Sequence, residues 1–192
     1  MFKRGKKRQR LSGMVETLTD GLLAKSAEIH SITVDEEKSV ASIPLIPYAK
    51  LSCETLQDLA FMDDVSLKMS STARNQIVIE LSPEKETPAR PRTLTPEIEV
   101  GSISDKISPY DVRKFTQIMK FITSKLSSIR TGYHKQLFNG KIVLVVEVDH
   151  ITNLELRDLA KNKREIESFT IYPSVPAEDE DTFFLLVEFM IV

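Results

Sequence analysis

The chain has 192 residues, 41% of them hydrophobic and 28% charged, and a formal net charge of -2. This length and composition suit a globular protein with one hydrophobic core, and exclude a fibrous or low-complexity chain. One cysteine, Cys53, excludes an internal disulfide framework and suits a reducing compartment, and no apolar run approaches the roughly 20 residues of a membrane-spanning helix.

The small net charge hides an asymmetry. The first stretch, MFKRGKKRQR, holds 6 of the 26 Lys and Arg residues and none of the 28 Asp and Glu, which leaves 20 basic against 28 acidic groups, or -8, for residues 11–192. A basic tail on an acidic body directs the tail toward polyanions. The tail lacks the apolar h-region of a secretory signal, and Phe2 stands where N-myristoylation needs glycine. Residues 1–13 have no apolar period and read as a flexible, solvated basic arm. Residues 14–192 read as a single α+β domain.

In chain order, Val15, Leu18 and Leu22 recur at helical spacing, weakened by Gly21. VASIPLIPYAKL carries Pro44 and Pro47, which cannot donate to a ladder, so it reads as an extended edge segment or a loop. SCETLQDLAFM reads as a short helix with Ser52 as N-cap. VSLKMSSTARNQIVIELS gives the clearest hairpin: Val65, Leu67 and Met69 alternate with polar residues, as do Ile77, Ile79 and Leu81, with TARN as the turn. The proline-rich stretch at 83–96 reads as a mobile loop, and EIEVGSI resumes as a strand.

The strongest helix signal spans 109–129. Ser108 is placed to cap it, Pro109 fits its first position, and Asp111 completes a short-armed capping box. Val112, Phe115, Ile118, Met119, Ile122, Leu126 and Ile129 form one apolar stripe, which predicts the main core contact; Gly132 ends the element. KIVLVVEVD is continuously apolar and β-branched, as in a central strand buried on both faces. NLELRDLAKNKREI reads as a polar helix capped by Asn153. SFTIYPSV and TFFLLVEFMIV read as strands joined by the acidic PAEDEDT. The last is so hydrophobic that it belongs inside a sheet or at an interface. These elements together predict one mixed or antiparallel sheet with the long helix 109–129 packed on it.

Catalytic and metal-binding signatures are missing. His30, His134 and His150 have no ligand spacing, and no P-loop, G-x-G-x-x-G or G-x-S-x-G occurs. Asp63–Asp64 and the carboxylates at 178–181 lie in turn-like polar stretches that suit solvated charge. Cys53 reads as a half-buried structural thiol. The sequence therefore predicts a protein that is not an enzyme and takes no cofactor or metal. Tyr48-Ala49-Lys50-Leu51 has the form of a Y-x-x-L sorting or late motif; packing of Tyr48 and Leu51 is the plainer alternative.

Lys3, Arg4, Lys6, Lys7, Arg8 and Arg10 admit several readings. They could bind an anionic membrane, nucleic acid without sequence preference, or, as a nuclear localisation signal, an import receptor; a solubilising tail is the plain alternative. Phe2 tilts the choice toward a membrane interface. The order of features from 97 to 149 adds to this. EIEVGSI leads into SPYDVRKFTQIMKFI, then the basic, aromatic RTGYHKQLF, then KIVLVVEV. This order resembles the core of rhabdovirus matrix proteins, which also begin with a lysine-rich arm. The proline-rich budding motifs of that family, and its helix tryptophan, are absent here. The resemblance implies a non-enzymatic structural protein that self-associates under a membrane, contacts the viral ribonucleoprotein and promotes budding. It would reside in the virion and on the inner face of host membranes. The competing expectation is a nucleic-acid-binding or nuclear accessory protein using the same arm.

Overall fold

The structure, a computed structural model of the chain, describes residues 2–24, 28–52, 55, 66–83, 109–136, 142–161, 166–174 and 183–191. The architecture is mixed α/β, and the described residues form two antiparallel five-stranded sheets and three helices. Two sheets replace the single sheet expected from the sequence. The first is built from β1 (Thr33–Asp35), β2 (Val40–Pro44), β5 (Ile77–Ser82), β4 (Ser66–Ser71) and β8 (His150–Thr152), in that spatial order. The second orders β3 (Leu51–Ser52), β9 (Ile166–Pro173), β10 (Leu185–Ile191), β7 (Ile142–Val148) and β6 (Ile129–Gln136).

Period-2 patterning decides which face of each sheet is buried. In the first sheet Ala41 and Leu67 flank Leu81, and Ile43 and Met69 flank Ile79. Ile151 lies beside Met69, and these side chains are fully buried on one face. The alternate positions Ser42, Glu80, Lys68 and Thr152 form the opposite, half-buried polar row. The expected hairpin is present as β4–β5. Its turn closes through Asn75 N to Thr72 O (2.9 Å), with Asn75 at φ 53°, a conformation asparagine tolerates. β2 is not an edge: it lies between β1 and β5, and Pro44 sits at its last position.

In the second sheet β7 and β10 are interior strands, as their hydrophobicity requires. Val187 lies opposite Val146 and Ile171, and Phe189 opposite Leu144 and Phe169. Val143 and Val145, on the other face of β7, are buried as well, so this strand is apolar on both sides. The aromatic pair Phe169–Phe189 packs tilted, with ring centroids 5.9 Å apart.

Three helices are bounded among the described residues: α1 (Phe2–Ala24), α2 (Pro109–Lys125) and α3 (Asn153–Lys161). α2 ends at Lys125, earlier than the stripe suggested. Leu126 N still bonds Ile122 O (3.1 Å), but Ile129 already opens β6, and Gly132 lies within that strand. Ile118, Met119, Ile122 and Leu126 of the stripe are buried; the side chains at 112 and 115 lie outside the described residues. Thr152, not Asn153, caps α3: Glu155 N donates to Thr152 Oγ1 (3.3 Å) and Thr152 N to Glu155 Oε2 (2.7 Å), a reciprocal capping box. Ser52 ends β3, its Oγ lies 3.2 Å from Thr55 Oγ1, and Thr55 is helical. Apart from Thr55, the rest of that expected helix, with Cys53, residues 84–96 of the proline-rich loop, EIEVGSI and the carboxylates at 63–64 and 178–181, lies outside the described residues.

One buried apolar cluster draws on both sheets and all three helices. The chain passes from the second sheet to the first at Asp149, between β7 and β8. There Ser128 clamps the crossing: Asp149 N donates to Ser128 O (3.1 Å), His150 N to Ser128 Oγ (3.1 Å), and Ser128 Oγ to His150 O (2.5 Å).

Candidate interaction surface at helix α1

The residues read as a solvated arm are the first half of α1. The boundary at 13 falls inside the helix, and Leu11 is buried beside Met14, Leu18 and Leu22. Steps of three, four and four put these residues on one stripe, and α1 packs that stripe against β2 and β5. Thr17 Oγ1 bonds back to Gly13 O (2.9 Å), one turn earlier. N-terminal to Leu11 no aliphatic residue continues the stripe; helical spacing carries its line through positions 7 and 4, which are Lys7 and Arg4. Nine residues, Phe2–Arg10, make a basic segment that rises about 14 Å.

Charge in this segment opposes the helix itself. α1 has no acidic residue in its first turn and no basic residue in its last. Cations near a helix N-terminus meet the positive end of the macrodipole, at about 0.3–1 kcal/mol each near the surface. The docked second half therefore holds the element. Lys3, Arg4, Lys6, Lys7, Arg8 and Arg10 thus share one short helical segment; Arg10, the last, is exposed.

Tyr48 and Leu51 are separated in environment. Tyr48 is 61% exposed and sits at φ 61° in the turn Ile46–Ala49, closed by Ala49 N to Ile46 O (3.2 Å). Pro47 and a residue of positive φ follow the pattern of a type II turn, where glycine is usual. The strained position is held from outside: Tyr48 N donates to Asn75 O (2.8 Å), and Asn75 Nδ2 to the Tyr48 hydroxyl (3.3 Å). Leu51 is 1% exposed and pairs with Ile171 in β3–β9. The two ends of the tetrapeptide are thus not displayed together.

Among the described residues, the outer face of the second sheet carries the most perturbed titratable group. Tyr172 donates its hydroxyl to Glu188 Oε2 (3.4 Å), and the Lys50 ammonium lies 5.1 Å from the ring centroid. Burial, then the Glu188 charge, then Tyr133, push the Tyr172 phenol up to about 12. At the β1–β2 turn, Asp35 Oδ1 accepts Lys38 N (3.0 Å) and Glu37 N (3.1 Å), and these bonds, the one from Lys38 first, hold its carboxyl below the usual value. Neither periodicity nor motif spacing points to the Tyr172–Glu188 pair, which strand register alone brings together.

His150 is half-buried and held through its backbone by Ser128, and neighbouring Asp149 pairs with Arg130. Among the described residues no group of three or more His, Cys, Asp or Glu could hold a metal ion, and no helix is long and apolar enough to cross a membrane. No protein-family model matches the chain, and neither a curated protein nor a solved structure matches it significantly.

Proposed function

We propose that this is a non-enzymatic structural protein of viral matrix type, which binds anionic membrane through the basic segment of α1, self-associates, and contacts a ribonucleoprotein during assembly and budding. One observation carries the reading. α1 is docked by Leu11, Met14, Leu18 and Leu22, while its first ten residues concentrate six cations and no acid. Each basic residue near an anionic leaflet contributes about 1 kcal/mol, so six supply several kcal/mol of salt-sensitive attraction. Phe2 adds an aromatic tip, and the body, at -8 over residues 11–192, is repelled by the same surface. One such helix gives reversible binding; stable attachment needs many acting together, which is where self-association enters. The resemblance of residues 97–149 to rhabdovirus matrix proteins points the same way.

Sedimentation with vesicles containing phosphatidylserine tests it. Binding should fall steeply between low and physiological salt, where the screening length shrinks to about 8 Å. Replacing Lys3, Arg4, Lys6, Lys7, Arg8 and Arg10 with Ser should abolish it. Sedimentation of the replaced protein, or a preference of the parent for RNA over vesicles at equal salt, would sink the membrane reading and favour the nucleic-acid one.

A further inference from the structure

Helix α1 carries its charge in two blocks. Residues 1–10 hold six cations and no acid, while residues 11–24 hold Glu16 and Asp20 and no cation. For a lone helix this order is unfavourable at both ends. The cations crowd the positive end of the macrodipole, and Asp20 stands near the negative one. The fold relieves neither carboxylate: Glu16 and Asp20, one turn apart, are exposed, and neither makes a hydrogen bond or an ion pair among the described residues. Ser12, Gly13, Glu16, Thr17 and Asp20 share the face of α1 opposite the docked Leu11, Met14, Leu18 and Leu22. That face lies open, and a Cβ added to Gly13 would meet no atom within 4 Å.

We propose that α1 pairs with α1 of a second copy, antiparallel and across a two-fold axis beside Gly13. The inference rests on the self-association in the proposed function and names the surface that performs it. In an antiparallel pair the basic half of each helix lies along the acidic half of the other, and each N-terminus lies beside a C-terminus. The charge order that opposes a lone helix therefore suits the pair. With the axis at Gly13, Asp20 stands level with Lys6 of the second copy, and Glu16 with Arg10. Gly13 sits at the crossing, where the lack of a side chain lets two backbones approach closely. A parallel pair would set cations against cations. One helix carries both complementary blocks, which is the self-complementarity that a two-fold interface requires. Six cations against two carboxylates leave a surplus of four at each end of the pair, still available to an anionic surface.

Sedimentation velocity of the full chain, without lipid or nucleic acid, tests this. The parent should form a two-chain particle at low salt and dissociate as salt rises. Two double variants reverse the charge from either side: Glu16→Lys with Asp20→Lys, and Lys6→Glu with Arg10→Glu. Each alone should associate about tenfold more weakly or worse, because two exposed pairs are reversed and the two-fold makes each of them twice. An equimolar mixture of the two variants should recover the two-chain particle, since opposite charges then meet at every level. That recovery also shows that both variants fold. Gly13→Tyr, at a position with open space in the single copy, should keep the fold and lose the pair. A single-chain parent, undiminished association in either double variant or in Gly13→Tyr, or a mixture no better than its components would overturn the proposal. Lipid is absent from this test, so the two readings fail separately. A parent that pairs but ignores vesicles overturns only the membrane reading, and one that binds vesicles but stays single in their absence overturns only the pairing.

Discussion

Glu155 is a carboxylate with 8% of its surface exposed, and three donors converge on it. Ser127 N reaches Oε1 at 2.6 Å, while Thr152 N and Thr152 Oγ1 reach Oε2 at 2.7 and 3.0 Å. One side chain thus closes the capping box of α3 and ties the segment after α2 to it. Glu155→Ala should leave those donors unmet and cost about 2–3 kcal/mol, read as a fall in urea midpoint at unchanged slope. Leu154→Ala, at a neighbouring side chain 38% exposed, should cost much less. The box was legible as Thr-x-x-Glu, but Asn153 is an equally good cap by type and drew the assignment one residue too far. The fold uses Asn153 otherwise, buried at 3% exposure with its Oδ1 3.5 Å from Leu67 N, a long-range contact no local pattern encodes. Tyr172 makes a pH prediction. Its phenol is raised to about 12 against 10.0 for the unperturbed group. The neutral form is therefore favoured in the folded state. The associated stability is complete below pH 10 and is lost as pH rises through 12. In an alkaline titration followed by tyrosinate absorbance, one of the four tyrosines should ionise late, and Tyr172→Phe should remove that step.

At the scale of elements, the strands were the most legible part, because period 2 is set locally and burial then confirms it. β5 and β10 bury every second residue, and β7 is apolar on both faces because it lies between β6 and β10. Helix ends were less legible. The apolar period of α2 runs past Lys125 into Ile129, since one side chain can serve a helix stripe or the first position of a strand. Of α1, the spacing of Val15, Leu18 and Leu22 was legible in the second half. A run of cations without period looks solvated, and Gly5, Gly13 and Gly21 weaken the helix signal, yet docking of Leu11, Met14, Leu18 and Leu22 overrides local propensity. Leu18, at 1% exposure, should carry much of that docking. Leu18→Ala should cost about 2–5 kcal/mol, and Leu23→Ala, at 55% exposure on the same helix, close to nothing. Similar losses at both positions in chemical denaturation would show that the stripe is not the docked face.

At the scale of the molecule, the number of sheets was the feature least accessible to the sequence. KIVLVVEVD reads as one central strand, but its sequence does not show that after Asp149 the chain leaves β7 of one sheet for β8 of the other. The split has an energetic consequence. The two sheets share one buried cluster, from Ile43 and Leu67 on one side to Val146 and Phe189 on the other, so neither can lose its packing without exposing the other. Unfolding should therefore be a single cooperative event, in which the slowest amides of β5 and of β10 exchange with the same free energy. Ser128 provides the perturbation. Its hydroxyl donates to His150 O and accepts from His150 N at the point where the chain changes sheets. Ser128→Ala leaves a backbone donor and acceptor without that partner, at a cost of about 1–2 kcal/mol. If the crossing couples the sheets, hydrogen exchange should show protection in β5 and β10 falling by equal amounts. A loss confined to β8 and its neighbour β4 would instead mean that the clamp serves the first sheet alone, and that the shared cluster, not the crossing, joins the two.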